Sequence, residues 1–269
     1  MAPNPPIKRE TCVLLGYGRI GRRIAGALLR DRHGPALAGI VARNPAAISA
    51  DLEDPAIPVF PDIHAALATK PDLVIECASP PALAGTGAEI LAAGADLVAL
   101  SLTAFADPAV ETRLRMAAKA GPGRLHIPSG AAAALPLLRV ARKAGLEKVR
   151  FRQTYLPSHW AKIAGENDAF QFTGSFFEGS VRSAAARFPF NLNAAVGVAL
   201  AGAGLDDTVI ELIGDPGVGN MRYALDIESC GAPIRLDIGP YRDRPPEGPD
   251  HTAYSILAML SARSEVITF

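Results

Sequence analysis

Val13-Leu14-Leu15-Gly16-Tyr17-Gly18-Arg19-Ile20-Gly21 joins an apolar run to glycines in G-x-G-x-x-G spacing. Thr11 to Leu15 reads as a buried strand. Ile20, Ile24, Ala27 and Leu28 recur at helical spacing, so a helix starts inside the glycine stretch. In a strand–turn–helix of this kind the first glycine permits a tight turn. The second lets a pyrophosphate approach the backbone, and the third lets the helix pack closely on the strand. The amides that open the helix sit at its positive dipole end and attract phosphate. Gly16, Tyr17, Gly18, Arg19, Ile20 and Gly21 are therefore expected to bind a dinucleotide.

A second apolar strand, Leu37 to Ala42, ends in Arg43-Asn44 with no acidic residue. An Asp or Glu at that point would bind the adenosine 2′-hydroxyl of NAD, whereas an arginine can pair with a 2′-phosphate. Arg43 and Asn44 thus favour NADP, with NAD tolerated; a solvated arginine at a strand end is the competing reading. Further along, Glu76-Cys77-Ala78-Ser79-Pro80 and Ser101-Leu102-Thr103 follow two more apolar strands. Ligands bind where strands of a parallel sheet end, so Ala78, Ser79, Pro80, Ser101 and Thr103 are expected near the nicotinamide. Helix capping is the other use of such Ser and Thr residues.

These residues need a scaffold. Repeated strand and helix from Thr11 to Ile127 argues for an α/β doubly wound parallel sheet. The helices expected are Ile63 to Ala68, Pro80 to Ala93 and Pro108 to Ala120. The strands are Leu37 to Ala42, Ile57 to Phe60, Leu73 to Cys77, Asp96 to Ser101 and Arg124 to Ile127. After Pro128-Ser129-Gly130 the pattern changes. Lys148 to Tyr155, Phe170 to Phe177, Thr208 to Ile213, Met221 to Ser229 and Pro233 to Ile238 are strand-like and lie close together. They suggest a mostly antiparallel sheet in an α+β lobe. A short helix ends near Phe188-Pro189, and another spans Ala194 to Ala203. Asp243 to Asp250 is a proline-rich loop, and a last helix around Tyr254, Leu257, Ala258 and Leu260 returns to the first lobe. The expected division is 1–128 plus 250–269 for the nucleotide domain and 129–249 for the substrate domain.

The bulk numbers exclude other classes. A chain of 269 residues with 49% hydrophobic and 20% charged content is an ordinary globular protein of two lobes. Lys+Arg and Asp+Glu both number 27, so no net field draws it to nucleic acid or a membrane surface. No apolar run is long enough to span a bilayer. Met1 to Glu10 reads as a loose lead-in rather than a targeting peptide. Three scattered cysteines make neither a disulfide framework nor a metal cluster, so no metal is expected and the compartment is the cytoplasm.

Several stretches together resemble the L-aspartate dehydrogenase family. They are Gly16-x-Gly18-x-x-Gly21, Glu76 to Pro80, Thr103-Ala104-Phe105-Ala106-Asp107, Pro128-Ser129-Gly130-Ala131 and Phe177-Glu178-Gly179-Ser180. Phe188-Pro189-x-Asn191-x-Asn193, Asp215-Pro216 and Tyr254-Ser255-Ile256-Leu257 complete the set, in the family's order over nearly the whole chain. The resemblance implies a Rossmann lobe, a substrate lobe whose sheet forms a homodimer interface, and NAD(P) as cofactor, with Ala131 added to its contacts. It also implies hydride transfer between the nicotinamide and the α-carbon of a small amino acid or its imine, aspartate or a relative.

The departures are concentrated in the second half. The family's Asn-Ile-His, whose histidine is the proposed acid/base, is Asn220-Met221-Arg222 here. An arginine stays protonated and cannot shuttle a proton, but it can hold a carboxylate bidentately. A lysine expected at the end of the first substrate-lobe strand is Tyr155. Arg222 is the first choice for substrate binding, with Asn220 beside it. His159, in the loop-like Pro157-Ser158-His159-Trp160, His251 at the start of the last helix, and Tyr155 are the candidate proton carriers. Glu178 is expected to cap or brace the helix after it. Two other readings stand beside this one: a reductase of another carbonyl or cyclic imine, and an inactive cofactor-binding homologue.

Overall fold

The computed structural model describes residues 9–132, 134–241, 250–263 and 265–267. Most of the expected lead-in and of the proline-rich loop, residues 1–8 and 243–249, lie outside them. The chain divides into two compact units, one of residues 1–101, 112–128 and 252–269, the other of 102–111 and 129–251.

The first unit follows the alternation of its sequence. β1 (Thr11–Leu15), α1 (Arg19–Arg30), β2 (Ala36–Val41), α2 (Pro45–Ser49) and β3 (Val59–Phe60) form its first half. α3 (Ile63–Leu67), β4 (Leu73–Glu76), α4 (Pro80–Ala92), β5 (Asp96–Ala99), α5 (Pro108–Ala120) and β6 (Leu125–His126) form the second. The six strands pair in parallel, in the order β3-β2-β1-β4-β5-β6. Cys12 to Leu15 of β1 and Leu73 to Ile75 of β4 are apolar and buried on both faces, as strands of a parallel sheet covered by helices on both sides require. The order reverses at β1, so β1 and β4 flank the switch point, outside whose strand ends such sheets bind ligands.

In the second unit, α6 (Leu135–Lys143) leads to β7 (Leu146–Tyr155), α7 (Pro157–Ala164) and β8 (Gly174–Ser180). α8 (Val181–Arg187), α9 (Asn193–Ala201), β9 (Thr208–Gly214), β10 (Met221–Ser229) and β11 (Ile234–Ile238) follow. The sheet runs β11-β10-β7-β9-β8, with every pair antiparallel except β7 with β9. Its strands alternate cleanly. Val149, Phe151, Gln153 and Tyr155 of β7 and Tyr223, Leu225 and Ile227 of β10 are buried on one face. The other face carries charges in ladders, Arg150 with Glu178 and Glu211, Arg152 with Asp226, and Arg222 with Asp237. α10 (His251–Ser261) then packs Ala253, Ile256 and Leu260 into the core of the first unit, beside Leu14, Ile40 and Ile75.

Several local expectations differ from the structure. Pro157 is not in a loop: it occupies the first turn of α7, where its missing N–H costs nothing, and Gly165 in left-handed conformation ends the helix. Residues 170–172 form a 3-10 turn, and the strand starts only at Gly174. Glu178 braces no helix; it pairs with Arg150 across the sheet, while Ser180 caps α8 by accepting from the Ser183 amide. Leu102–Ala106 is a 3-10 turn belonging to the second unit, held there by Arg182, which donates to Phe105 O and pairs with Glu111 and Asp206.

Candidate active site

The glycine loop has the local geometry its spacing predicted. Gly16 has φ +103°, and a Cβ there would stand 2.8 Å from the Ala78 Cα. A Cβ on Gly21 would stand 2.5 Å from the Gly16 carbonyl oxygen. Protein contacts alone therefore demand these two glycines. Gly18 is different: its φ is −79°, open to any residue, and beyond its chain neighbours no atom of the described residues lies within 4 Å of where its Cβ would be. Gly18 is also the N-cap of the 12-residue α1, yet no side chain caps that end and its first turn holds no acid. Bare amides at a positive helix end, fronted by open space, fit the pyrophosphate of a dinucleotide.

Around the loop, the Arg22 guanidinium lies 4.8 Å from the centre of the Tyr17 ring and pairs with Asp51. Ile20 packs against the core. Arg43 is exposed just beyond β2, and among the described residues it forms no ion pair. Asn44 accepts from the Ala47 amide and caps α2.

The next two strand ends are joined by a buried carboxylate. Glu76, fully buried, accepts from the Ala78 and Ser79 amides at 2.9 and 3.0 Å through Oε1. Ser101 Oγ donates to the same oxygen at 2.8 Å, and the Leu100 and Ser101 amides donate to Oε2 at 3.3 and 3.0 Å. Ser79 also caps α4 by accepting from the Ala82 amide, with Pro80 in the first turn. Both capping and loop placement are thus in use at once. Thr103 lies in the second unit, its hydroxyl donating to Pro189 O at 2.9 Å and its amide to Asn193 Oδ1.

In the second unit the structure gathers a cluster from distant parts of the chain. His159, on the first turn of α7, lies tilted against Tyr155 at 46°, with ring centres 4.4 Å apart. Its Nε2 is 3.0 Å from Asn191 Nδ2, and Asn191 holds φ +66°. Gln153 Nε2 donates to Asn191 O at 2.9 Å, while its fully buried Oε1 has no hydrogen-bond partner among the described residues. Tyr155 and Tyr223 meet oxygen to oxygen at 3.3 Å, and Tyr223 neighbours Tyr241, whose hydroxyl donates to Ala131 O. His251 is edge-on to Tyr241 with ring centres 5.1 Å apart. Burial, helped by the Lys162 charge, holds the His159 imidazole below its ordinary pKa. Burial pushes the Tyr155 phenol up, so it stays protonated.

Arg222 is elsewhere. It follows the alternation of β10 onto the charged face, opposite Tyr223, and its Nη2 donates to Asp237 at 2.8 Å. The sheet therefore separates Arg222 from the His159 cluster. Asn220 is exposed just before β10. A polar hollow of about 390 Å³ on the charged face, lined by Arg152, Asp226, Arg235 and Asp237, contains none of the candidate residues. Among the described residues no group of His, Cys, Asp and Glu is placed to hold a metal, and no helix is long and apolar enough to cross a membrane.

Gln153, Asn191, Tyr223 and Tyr241 were not singled out by sequence reasoning as site residues. Asn191 alone had a signal, the Phe-Pro-x-Asn-x-Asn stretch; the others are ordinary strand residues until the sheet brings them together.

Comparison with known proteins covers both units. Residues 16–128 match the family model for the NAD-binding domain of homoserine dehydrogenase, and residues 137–265 that for the C-terminal part of aspartate dehydrogenase. The chain is 37% identical over 203 residues to L-aspartate dehydrogenase 1 of Bordetella pertussis, covering 76% of each. It is 33% identical over 228 residues to L-aspartate dehydrogenase 2 of the same organism, covering 83% of this chain and 85% of that one. The crystal structure of aspartate dehydrogenase from Thermotoga maritima shares the fold, with a TM-score of 0.78 over 97% of this chain and 99% of that one at 24% identity. The chain belongs to the L-aspartate dehydrogenase family and is an NAD(P)-dependent oxidoreductase of that type.

Proposed function

We propose that the chain interconverts a small amino acid, aspartate or a close relative, with its oxo acid and ammonia, using NADP in preference to NAD. The observation that carries the cofactor half is Gly18, a glycine that neither backbone conformation nor protein contact requires. Gly16 to Gly21 would hold the pyrophosphate, Arg43 the 2′-phosphate, and Ala78, Ser79, Pro80, Ser101 and Thr103 the nicotinamide end, with Ala131 near it. When bound, the dinucleotide supplies the hydride acceptor and donor.

The chain itself must move protons at the substrate nitrogen and at water. His159 is the residue proposed for this, in place of the histidine that position 222 lacks. An imidazole alternates between giving and taking a proton near neutral pH. Asn191 can present either Nδ2 or, after an amide flip, Oδ1 to Nε2, so the ring keeps its partner in both protonation states. Tyr155 packs against the ring at a tilt and limits its movement. His251 and Asn220 are assigned no proton transfer. Arg222 belongs to the charged sheet face, the surface proposed to pair with a second copy in a homodimer. Three free cysteines fit a reducing compartment, the cytoplasm.

The test is to follow oxidation of NADPH and NADH with oxaloacetate in the presence and absence of ammonia. Turnover that requires ammonia is expected. Turnover without ammonia points to a carbonyl reductase, and cofactor binding with no turnover on any oxo acid points to an inactive homologue.

A further inference from the structure

Glu76 ends β4, on the strand that adjoins β1 at the switch point, and its side chain is fully buried. Five donors converge on its two oxygens, four backbone amides and the Ser101 hydroxyl. A carboxylate accepts at both oxygens, whereas a carboxylic acid would direct its own hydrogen towards donors, of which only the Ser101 hydroxyl could turn to receive it. These donors favour the ionised form, against the burial that pushes the carboxyl above its ordinary pKa. Among the described residues, no Arg, Lys or His forms an ion pair with it. Amide and hydroxyl dipoles stabilise the charge without cancelling it, so a cation arriving at the strand ends is favoured.

The oxidised nicotinamide ring carries a positive charge and the reduced ring carries none. We infer that Glu76 is a positioning residue that fixes the loops after β4 and β5 and, through its charge, makes the site prefer the oxidised nicotinamide over the reduced one. This rests on the dinucleotide reading given above. The loops are fixed because one carboxylate bridges Ala78-Ser79 to Leu100-Ser101, and Ala78 is the residue packed against Gly16. By linkage, tighter binding of the oxidised form makes the bound reduced form a stronger hydride donor, which favours amination of the oxo acid.

The experiment titrates oxidised and reduced cofactor separately into wild type, Glu76→Gln and Ser101→Ala, by calorimetry or by quenching of protein fluorescence. Glu76→Gln keeps the shape and removes the charge. Its affinity for the oxidised form should fall about fivefold more than for the reduced form. Ser101→Ala removes one donor that favours the ionised form, so the ratio should move the same way as in Glu76→Gln, by about twofold. Equal weakening of both forms in Glu76→Gln would reduce the carboxylate to a loop bracket and overturn the proposal. If Glu76→Gln does not fold, Ser101→Ala decides: a loss of preference for the oxidised form supports the proposal, and an unmoved or opposite ratio overturns it. Wild type that binds neither form overturns the dinucleotide reading as well; wild type that binds both, with variants that leave the ratio unmoved, overturns this proposal alone.

Discussion

The two units solve the problem of placing reactive groups in opposite ways. In the first, the proposed binding surface is backbone: amides at the start of α1 and the loops that Glu76 ties together. All of it lies within a few residues of the ends of β1, β4 and β5. In the second, the surface is side chains collected from β7, α7, the turn at Asn191, β10 and the segment around Tyr241. Backbone sites tolerate almost any side-chain change except at the glycines. Side-chain sites can exchange members while the sheet beneath stays the same. That difference would let one half of the chain keep the family's pattern while the other takes Arg222 and Tyr155 where the resemblance leads one to expect a histidine and a lysine.

The largest expected effect tests the backbone half. Gly18→Asp puts a favourable N-cap residue at a position with suitable backbone angles and no neighbouring atoms. Stability should hold, with the melting temperature within about 2 °C of wild type or above it. The added carboxylate faces the site where phosphate is expected, so cofactor affinity should fall by about a hundredfold or more. Thermal melting and calorimetry on the same sample separate the two. Retained cofactor binding would mean that the phosphates do not use these amides.

The side-chain half predicts a smaller loss and a pH signature. His159→Gln should lower kcat by about a hundredfold while cofactor affinity stays unchanged. The sign of the pH dependence follows from the environment. Burial and Lys162 disfavour the imidazolium, and the neighbouring Tyr155 and Tyr223 phenols stay protonated because burial pushes their pKa values up. The neutral, proton-accepting ring therefore persists below its ordinary pKa. The acid limb of kcat/KM for amino-acid oxidation should lie below pH 6.5, its midpoint at the lowered pKa, and should vanish in His159→Gln. Arg222→His supplies the contrasting measurement: an imidazole restored on the charged face, with β10 between it and the cluster, should change kcat by less than about threefold. A large gain in Arg222→His would move proton transfer back to position 222.

The same contrast sets what could be read from the residues in advance. The first unit was legible because a parallel strand covered on both faces is continuously apolar, and because glycine spacing states a backbone requirement directly. Its reversal of strand order at β1 is the doubly wound arrangement expected of that alternation together with the glycine turn after β1. Glu76 could be seen as a residue at a strand end but not as the acceptor for five donors, since Ser101 lies 25 positions away. The helix at Pro157–Ala164 was hidden by its proline, which reads as a loop signal yet sits well in a first helical turn. The histidine cluster was hidden by sequence distance: Asn191 is 32 positions from His159, and Tyr223 is 68 from Tyr155. Nothing in a local window relates such residues; the sheet register does.

The smallest expected effect concerns the choice between the two dinucleotides. Two exposed arginines near the loop differ in what they already hold. Arg22 pairs with Asp51, whereas Arg43 forms no ion pair among the described residues and follows a strand end without an acid. A 2′-phosphate contacted by Arg43 would gain charge-assisted hydrogen bonds with no existing pair to break. Arg43→Ala should therefore weaken NADPH about tenfold and leave NADH within about twofold of wild type. The NADPH loss should shrink as salt rises, because an exposed arginine–phosphate contact is screened. Equal weakening of both cofactors would instead mean that Arg43 meets the adenosine they share.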